Sequence, residues 1–190
     1  MAKNKKKVIL QAAYELFLEH GYDNTSMKMI AKKAGVAQSL TYAFFENKDG
    51  LLDAVLRKTQ DRYQSRMYAV VQECAHLTPE EFAAACAEAI ADFRDDACFV
   101  MACALTPKLR YKTELLLKEY SDGMTKMMKP LFPGASDDLL YDIGSLLLAV
   151  SDSLLIDGDK ERAVRTAVFA MRIFSQHLAS GPQGPPTPDS

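Results

Sequence analysis

The stretch Thr25–Leu52 constrains this chain more than any other part of its sequence. Thr25 and Ser26 carry hydroxyl groups, which can cap a helix start by accepting a bond from a free backbone N–H. Gly35 can adopt the left-handed geometry that ends a helix, because it has no Cβ. Between these signals apolar residues recur at helical spacing, at Met27, Ile30, Ala31 and Ala34. A second short helix, about residues 38–44, follows. The stretch therefore predicts a helix-turn-helix, whose second helix has the shape to enter a major groove.

The remainder of the chain has the apolar periodicity of helices and no convincing strand pattern. The predicted helices cover about residues 3–20, 27–34, 38–44, 48–77, 79–93, 95–105, 108–129, 137–156 and 160–179. The fourth helix is too long to belong only to an N-terminal three-helix domain, so we expect it to link two domains. The predicted fold is all-α with about nine helices. It has a helix-turn-helix domain at residues 1–47, a helical domain at 48–179, and a disordered tail rich in proline and glycine at 180–190.

The composition of the chain indicates where in the cell the protein acts. The chain has 190 residues, of which 48% are hydrophobic, so it can bury a sizeable core. No apolar run approaches the roughly 20 residues that a membrane-spanning helix needs. The N-terminus is basic, but the apolar segment behind it is interrupted by Gln11, Tyr14 and Glu15, unlike a secretory signal. We expect a cytoplasmic protein with no membrane partner.

The charges are distributed unevenly along the chain. Residues 1–66 hold 12 Lys and Arg against 7 Asp and Glu, whereas residues 67–190 hold 11 against 18. A basic N-terminal third followed by an acidic remainder is typical of a protein that binds a polyanion through its basic part. Chance clustering of solvated charges is the alternative. The helix-turn-helix within the basic part favours nucleic acid.

Nothing in the sequence predicts catalysis, a metal site or a cofactor. The cysteines, at positions 74, 86, 98 and 103, form no C-x-x-C pair, and the three histidines are scattered. We expect buried free thiols, with a thiol redox sensor as the alternative. No nucleophile with a matching base and no glycine-rich phosphate loop is present, which argues against an enzyme.

A set of residues at fixed spacings runs from about Ile9 to Val55. It comprises the Gly21-Tyr22 turn, Thr25-Ser26, Ile30-Ala31, Ala34-Gly35-Val36, Tyr42, Phe45, and Asn47-Lys48 before Leu51. In these positions the segment resembles the DNA-binding domain of the TetR family of bacterial transcription regulators. The resemblance implies a dimeric regulator whose second domain binds an effector and dimerises. It covers about a quarter of the chain, and the remainder matches the family only in size and helical character.

The resemblance implies DNA contacts by particular residues. Thr25 or Ser26, with the start of helix 2, would hold one phosphate, although capping alone explains Thr25. Tyr42 and Lys48 would hold two more phosphates, and Lys28 would add another. Base edges would be read by Gln38, Ser39 and Thr41, since Gln pairs with adenine and a Thr methyl contacts a thymine methyl. The alternative is that these three are merely exposed polar positions.

Basic residues outside the helix-turn-helix have two interpretations. The N-terminal lysines are either a flexible arm that reaches DNA or a solvated tail, at Lys3, Lys5, Lys6 and Lys7. Lys32 and Lys33 are as well explained by solvation as by DNA binding.

The sequence departs from the usual family pattern at the start of helix 3. Position 37 commonly carries a hydroxyl that caps the recognition helix, and here it is Ala37. The usual small-then-apolar pair before the tyrosine is reversed, as Leu40-Thr41, and Ala43 and Phe44 replace more polar residues. Loss of an N-cap costs about 1 kcal/mol. These departures affect which DNA sequence is read rather than whether DNA is bound.

The second domain has two predicted surfaces. Methionine and aromatic residues suit an adaptable apolar pocket, with candidate walls at Met67, Phe82, Cys86, Phe99, Tyr120, Met124 and Asp152. The alternative is that these side chains simply fill the core. Helices 8 and 9 are the candidate homodimer interface, because both have broad apolar faces with small residues, at Gly144, Ser145, Ala163, Ala167 and Ala170.

Together these features predict a ligand-responsive transcription regulator. It would bind a palindromic double-stranded operator as a homodimer and be released by a small-molecule effector, as a repressor. The alternative is a helical dimeric adaptor or sensor without specific DNA binding. The sequence identifies neither the effector nor the operator.

Overall fold

A computed structural model describes residues 2–74, 77–130, 132, 134–145 and 158–180. In this part of the chain the structure contains nine helices and no strand, which confirms the predicted all-α class. The helices are α1 (Ala2–His20), α2 (Met27–Lys33), α3 (Gln38–Phe44), α4 (Lys48–Cys74), α5 (Pro79–Ala91), α6 (Arg94–Leu105), α7 (Arg110–Met128), α8 (residues 137–145 are described) and α9 (Lys160–Ser180). The second half of predicted helix 8 and nearly all of the predicted tail lie outside the described residues.

Local capping chemistry explains where two of these helices begin. The Ser26 hydroxyl accepts a bond from the backbone N–H of Met29 at 3.2 Å and caps α2. Thr78 and Glu81 form a reciprocal capping box at the start of α5, with Pro79 in the first turn. Gly35 ends the α2 turn with a φ of +63°, in the left-handed geometry that the sequence predicts.

The chain divides into two compact units. The first, here called the head, comprises residues 1–64 and 95–118; the second, called the body, comprises residues 65–94 and 119–190. The helix-turn-helix lies in the head, but so do α6 and the first half of α7. The division therefore falls elsewhere than the predicted boundary after residue 47.

Apolar packing explains why α6 belongs to the head. Phe99, Cys103 and Leu109 share one core cluster with residues of α1, α2 and α4, such as Ile9 and Leu52. The Phe99 ring lies edge-on to Tyr14 (centroids 5.6 Å apart) and stacks on Phe17 (6.4 Å). Residues from two distant parts of the chain therefore complete a single core.

The body is organised around the packing of α5 along α9. Ala163 and Ala167 are fully buried on α9, and a Cβ on Gly144 would lie 3.8 Å from Met124 Cβ. These small residues permit close packing inside one chain. Gly144, Ala163 and Ala167 are buried within one chain, so the prediction that these three lie in a dimer interface is wrong, whereas Ser145 and Ala170 retain exposure.

Candidate DNA interface and body core

The recognition helix α3 has one exposed face and one buried face. Gln38, Ser39, Tyr42 and Ala43 are exposed, and their i, i+1, i+4, i+5 spacing places them on one side of the helix. Tyr42 is 48% exposed. Two of the three predicted base-reading residues and the predicted phosphate-binding tyrosine therefore share a surface. Sequence reasoning missed Ala43 as part of it, although its i+4 relation to Ser39 was the signal.

Thr41 does not belong to that surface, so its predicted contact with bases is wrong. Its side chain is fully buried, because position 41 lies about 130° around the helix from the centre of the exposed face. Its hydroxyl oxygen is buried without a hydrogen-bond partner. A buried unpaired hydroxyl costs about 1–3 kcal/mol, so this position weakens the head rather than reading DNA.

The start of α3 has no side-chain cap. Ala37 occupies the N-cap position in an extended conformation (φ −64°, ψ 142°) and makes no capping bond. The missing side-chain cap that Ala37 predicts is therefore confirmed. A helix of only seven residues depends more than a long one on its ends and on packing.

Of the two hydroxyl residues at the α2 start, Ser26 is exposed and Thr25 is buried. The Thr25 hydroxyl donates to the carbonyls of Leu16 (3.1 Å) and Gly21 (2.8 Å), and the residue is 2% exposed. Thr25 therefore ties the α1–α2 turn to α1, and its side chain is not available to a phosphate. Ser26 is the cap and the exposed member of the pair.

Lys48 is held inside the head more firmly than the sequence suggested. Its ammonium donates to the carbonyls of Tyr22 (2.7 Å) and Thr25 (2.9 Å) and lies 4.1 Å from the centroid of the Tyr22 ring. Burial lowers the pKa of Lys48. Because an ammonium has three N–H donors and two are used here, one remains for a phosphate. The residue thus positions the α1–α2 turn as well as offering a charge.

Two further polar contacts join sequence-distant helices of the head. The Tyr14 hydroxyl donates to Asp96 Oδ1 at 2.6 Å, and the Arg62 guanidinium pairs with both oxygens of Asp96, whose side chain is 6% exposed. Lys112, with a side chain only 8% exposed, pairs with Asp53 at 2.5 Å. Burial, followed by the bond to Asp96, raises the pKa of Tyr14. These bonds fasten α6 and α7 to α1 and α4.

The other basic residues of the head fall into separate groups. Lys28 and Lys32 are exposed, whereas Lys33 pairs with Glu15 at 3.1 Å. The N-terminal lysines lie within α1, which begins at Ala2, so the structure does not show the flexible arm that was one of the two alternatives for them. Backbone hydrogen bonding extends the helix through them.

The predicted pocket residues do not all come together. Five are buried in the body, at Met67, Phe82, Cys86, Tyr120 and Met124. Phe99 is part of the head core, so its placement on a body pocket wall is wrong. Asp152 lies outside the described residues.

Two kinds of site are absent from the described part of the chain. Among those residues no group of three His, Cys, Asp or Glu side chains is placed to hold a metal ion. No helix in the same part is long and apolar enough to cross a membrane.

Comparison with known proteins agrees with this architecture. Residues 9–55, which span α1 to the first turns of α4, match the family model for bacterial regulatory proteins of the tetR family. This segment is a TetR-family DNA-binding segment. Members of this family are transcription regulators rather than enzymes. The match ends within α4, so it covers the helix-turn-helix and little of the body.

Relatives in the family extend the comparison beyond residue 55. The chain is 28% identical over 130 residues to the HTH-type transcriptional regulator HbdR of Aromatoleum sp., which covers 68% of this chain and 56% of HbdR. It spans less than two thirds of the curated relatives it matches.

Solved TetR-like structures cover nearly the whole chain. FadR of Bacillus subtilis, solved with stearoyl-CoA, is 21% identical, with a TM-score of 0.67 over 93% of this chain and 99% of that one. The multidrug binding protein EbrR, complexed with malachite green, is 17% identical, with a TM-score of 0.67 over 87% and 96%. At these identities the similarity establishes the fold.

Proposed function

We propose that the protein is a DNA-binding transcription regulator that acts as a dimer and responds to a small molecule. The observation that carries this proposal is the outward face of α3, where Gln38, Ser39 and Tyr42 stand exposed within the segment that matches the TetR-family model. Because its target is DNA, we place its activity in the cytoplasm.

The chemistry of the exposed α3 face suits the major groove. The Gln38 amide can bond bidentately to adenine, and the Ser39 hydroxyl can donate to or accept from several bases. The exposed Ala43 methyl takes over the role first assigned to Thr41, because an apolar group there can contact a thymine methyl.

Phosphate contacts would provide most of the affinity. The Tyr42 hydroxyl, the exposed Lys28 and the O–H of the exposed cap Ser26 are the groups that we expect to contact phosphates around the helix-turn-helix. Lys48 would add its third N–H. Because the Lys48 ammonium is half-buried, dissolved salt screens its attraction to a phosphate less than at a fully exposed site, and this strengthens the bond.

DNA binding is tested by selecting duplexes from a random-sequence library and measuring their affinity by fluorescence anisotropy. Tyr42→Phe removes one hydroxyl from the proposed interface, so we expect about tenfold weaker binding, as for a hydrogen bond to a charged group. Tyr68→Phe is the matched control, since Tyr68 is 58% exposed on α4 but lies in the body. Failure to recover any bound duplex at low salt would contradict DNA binding and favour the adaptor alternative.

Dimerisation is supported by an exposed apolar stripe on α9. Phe169 (63% exposed) and Ile173 (51%) lie four residues apart on one exposed side of α9, away from the buried Ala163 and Ala167. Large apolar groups side by side on a surface typically mark an interface. On α8, Tyr141 (52% exposed) and Ser145 present a second such face. We therefore retain α8 and α9 as the dimer interface and place its contacts at their exposed residues.

Sedimentation velocity tests this interface. Phe169→Glu places a charge in the proposed contact, so the variant should sediment as a monomer where the wild type is a dimer. Tyr68→Glu, at similar exposure on α4, should remain dimeric. Identical sedimentation of Phe169→Glu and wild type would exclude Phe169 from the interface.

The body core supports an apolar or amphipathic effector. Met67, Phe82, Cys86, Tyr120 and Met124 are all at most 7% exposed, and methionine adapts to ligands of varied shape. The neighbouring structures contain stearoyl-CoA and malachite green, both with large apolar parts. A ligand with a large apolar part and few polar groups suits such a core.

Thermal-shift measurements with these two compounds as probes test the effector proposal. A probe that binds should raise the melting temperature, and Met124→Ala should weaken its binding about tenfold through lost apolar contact. Met101→Ala, on the exposed surface of the head, is the control. An equal shift in both variants would place the ligand elsewhere. A repressor further requires that the probe weaken DNA binding, because coupling between two ligands is reciprocal.

A further inference from the structure

Two ammonium groups lie over the ring of Tyr22, in the turn between α1 and α2. Lys48 Nζ, from the start of α4, is 4.1 Å from the ring centroid, and Lys108 Nζ, from the turn between α6 and α7, is 5.5 Å from it. The face of an aromatic ring attracts cations. The fold thus brings together two positive charges that are far apart in sequence.

The partners of Lys108 leave its charge available. Lys108 pairs with Asp23, but the two side chains are 55% and 62% exposed. An ion pair so accessible to water contributes at most about 1 kcal/mol. Lys48, in contrast, donates to two neutral carbonyls. An anion that approaches this turn therefore meets the fixed ammonium of Lys48. It can also bind the ammonium of Lys108, because breaking the exposed ion pair with Asp23 costs little free energy.

The turn also lies beside the proposed phosphate contacts. Lys48 binds the carbonyl of Thr25, which directly precedes the exposed cap Ser26. We propose that Lys108 is a further DNA-backbone contact, so that the interface extends from the helix-turn-helix to the α6–α7 turn. The proposal rests on the DNA-binding function proposed above and adds a residue outside the segment that matches the family model, residues 9–55.

Lys112, four residues further on, provides a matched contrast. Its side chain is 8% exposed and is held by Asp53 at 2.5 Å and Asp49 at 3.7 Å. Two carboxylates neutralise it, and burial separates it from solvent. We expect Lys112 to stabilise the head without contacting DNA, although it is a lysine on the same segment.

The salt dependence of DNA affinity separates these two roles. A phosphate contact makes log K fall by about 0.9 for each unit of log salt concentration, so a dimer with two such contacts loses about 1.8 in slope when both are removed. We expect Lys108→Gln to show this shallower slope on a duplex selected from a random-sequence library. Lys108→Arg should restore the slope, and Lys112→Gln should keep it while it lowers the melting temperature.

A second comparison concerns Asp23. Asp23→Asn should tighten DNA binding, because a phosphate no longer competes with the carboxylate for Lys108. The gain should be larger in wild type than in the Lys108→Gln background. Equal gains in both backgrounds, or an unchanged salt slope in Lys108→Gln, would overturn the role of Lys108. If instead the wild type binds no duplex at all, the proposed function fails and not this extension of it.

Discussion

Different kinds of interaction stabilise the head and the body. All the buried polar or charged residues among the described part of the chain lie in the head, at Thr25, Thr41, Thr59, Gln60, Asp96 and Thr113. The described core of the body is apolar, with methionines and alanines such as Met67, Met124, Ala83 and Ala167. The head thus combines an apolar core with buried polar groups and directional hydrogen bonds, whereas the described core of the body consists of closely packed apolar side chains.

This difference suits the two proposed roles. Reading DNA requires the α3 face to keep a fixed position relative to α1 and α4, and directional bonds from Tyr14, Lys48 and Arg62 give that rigidity. An apolar core with flexible methionines can repack around a ligand at lower cost. We therefore expect mutations to act differently in the two units.

The largest effect should come from Asp96. Asp96→Ala removes the partner of both Tyr14 and Arg62, and breaking a buried ion pair costs about 3–5 kcal/mol. Because the Arg62 side chain is 46% exposed, we expect about 2–3 kcal/mol in urea unfolding. Asp95→Ala is the control, since Asp95 is an exposed acid in the same first turn of α6. Equal losses in both variants would show that the helix start, rather than the buried pair, matters.

In the body the comparable change is one of volume. Ala87 on α5 is fully buried, so Ala87→Leu overfills a close-packed core and should cost about 2 kcal/mol. Ala84→Leu, at a half-buried position on the same helix, should cost less than half as much. If Ala87→Leu were neutral, the body core would contain unfilled space, and shape would not be what specifies it.

Alkaline pH should weaken the head through its tyrosines. Burial raises the pKa of both Tyr14 and Tyr22 above the ordinary value of 10.0, and their bonds to Asp96 and Asp49 add to the shift. A raised folded-state pKa contributes stability that is complete below pH 10 and is lost as pH rises above it. At pH 11 we expect a loss of roughly 1 kcal/mol for each tyrosine. Urea unfolding at pH 9 and pH 11 measures it, and Tyr14→Phe should show a smaller loss of stability between these two pH values than the wild type.

The smallest effect should be a gain at the uncapped start of α3. Ala37→Ser supplies the missing side-chain acceptor, so stability should rise by about 0.5–1 kcal/mol. Ala43→Ser, exposed on the same helix but away from its start, is the control. A gain in both variants would point to a general effect of serine rather than to capping.

Sequence patterns predicted the local structure of the head closely. The first three helices begin and end within one residue of their predicted bounds, because caps and Gly35 act over short distances. Predictions that depended on tertiary packing were less successful. Thr41 was assigned by chemical type, but helical phase turns it inward, and Lys48 and Phe99 have partners that only the fold supplies.

The same limit applies to the body. The small residues of α9 were predicted to lie in a dimer contact, but Ala163 and Ala167 are buried within the chain, where α5 packs along α9. Periodicity reveals that a helix has an apolar face and does not reveal which helix covers it. The stripe at Phe169 and Ile173 could be separated from the buried face only when the exposure of each residue was known.

The most direct test compares Gln38→Ala with Thr41→Val in DNA sequence selection. Gln38 is exposed on α3 and Thr41 is fully buried on the same helix, so the pair separates base reading from packing. We predict that Gln38→Ala relaxes the preference at one base pair by about 1–3 kcal/mol. Thr41→Val should leave the selected sequence unchanged and raise stability, because it removes an unpaired hydroxyl. The opposite pattern, with the preference altered by Thr41→Val and not by Gln38→Ala, would contradict the proposed interface.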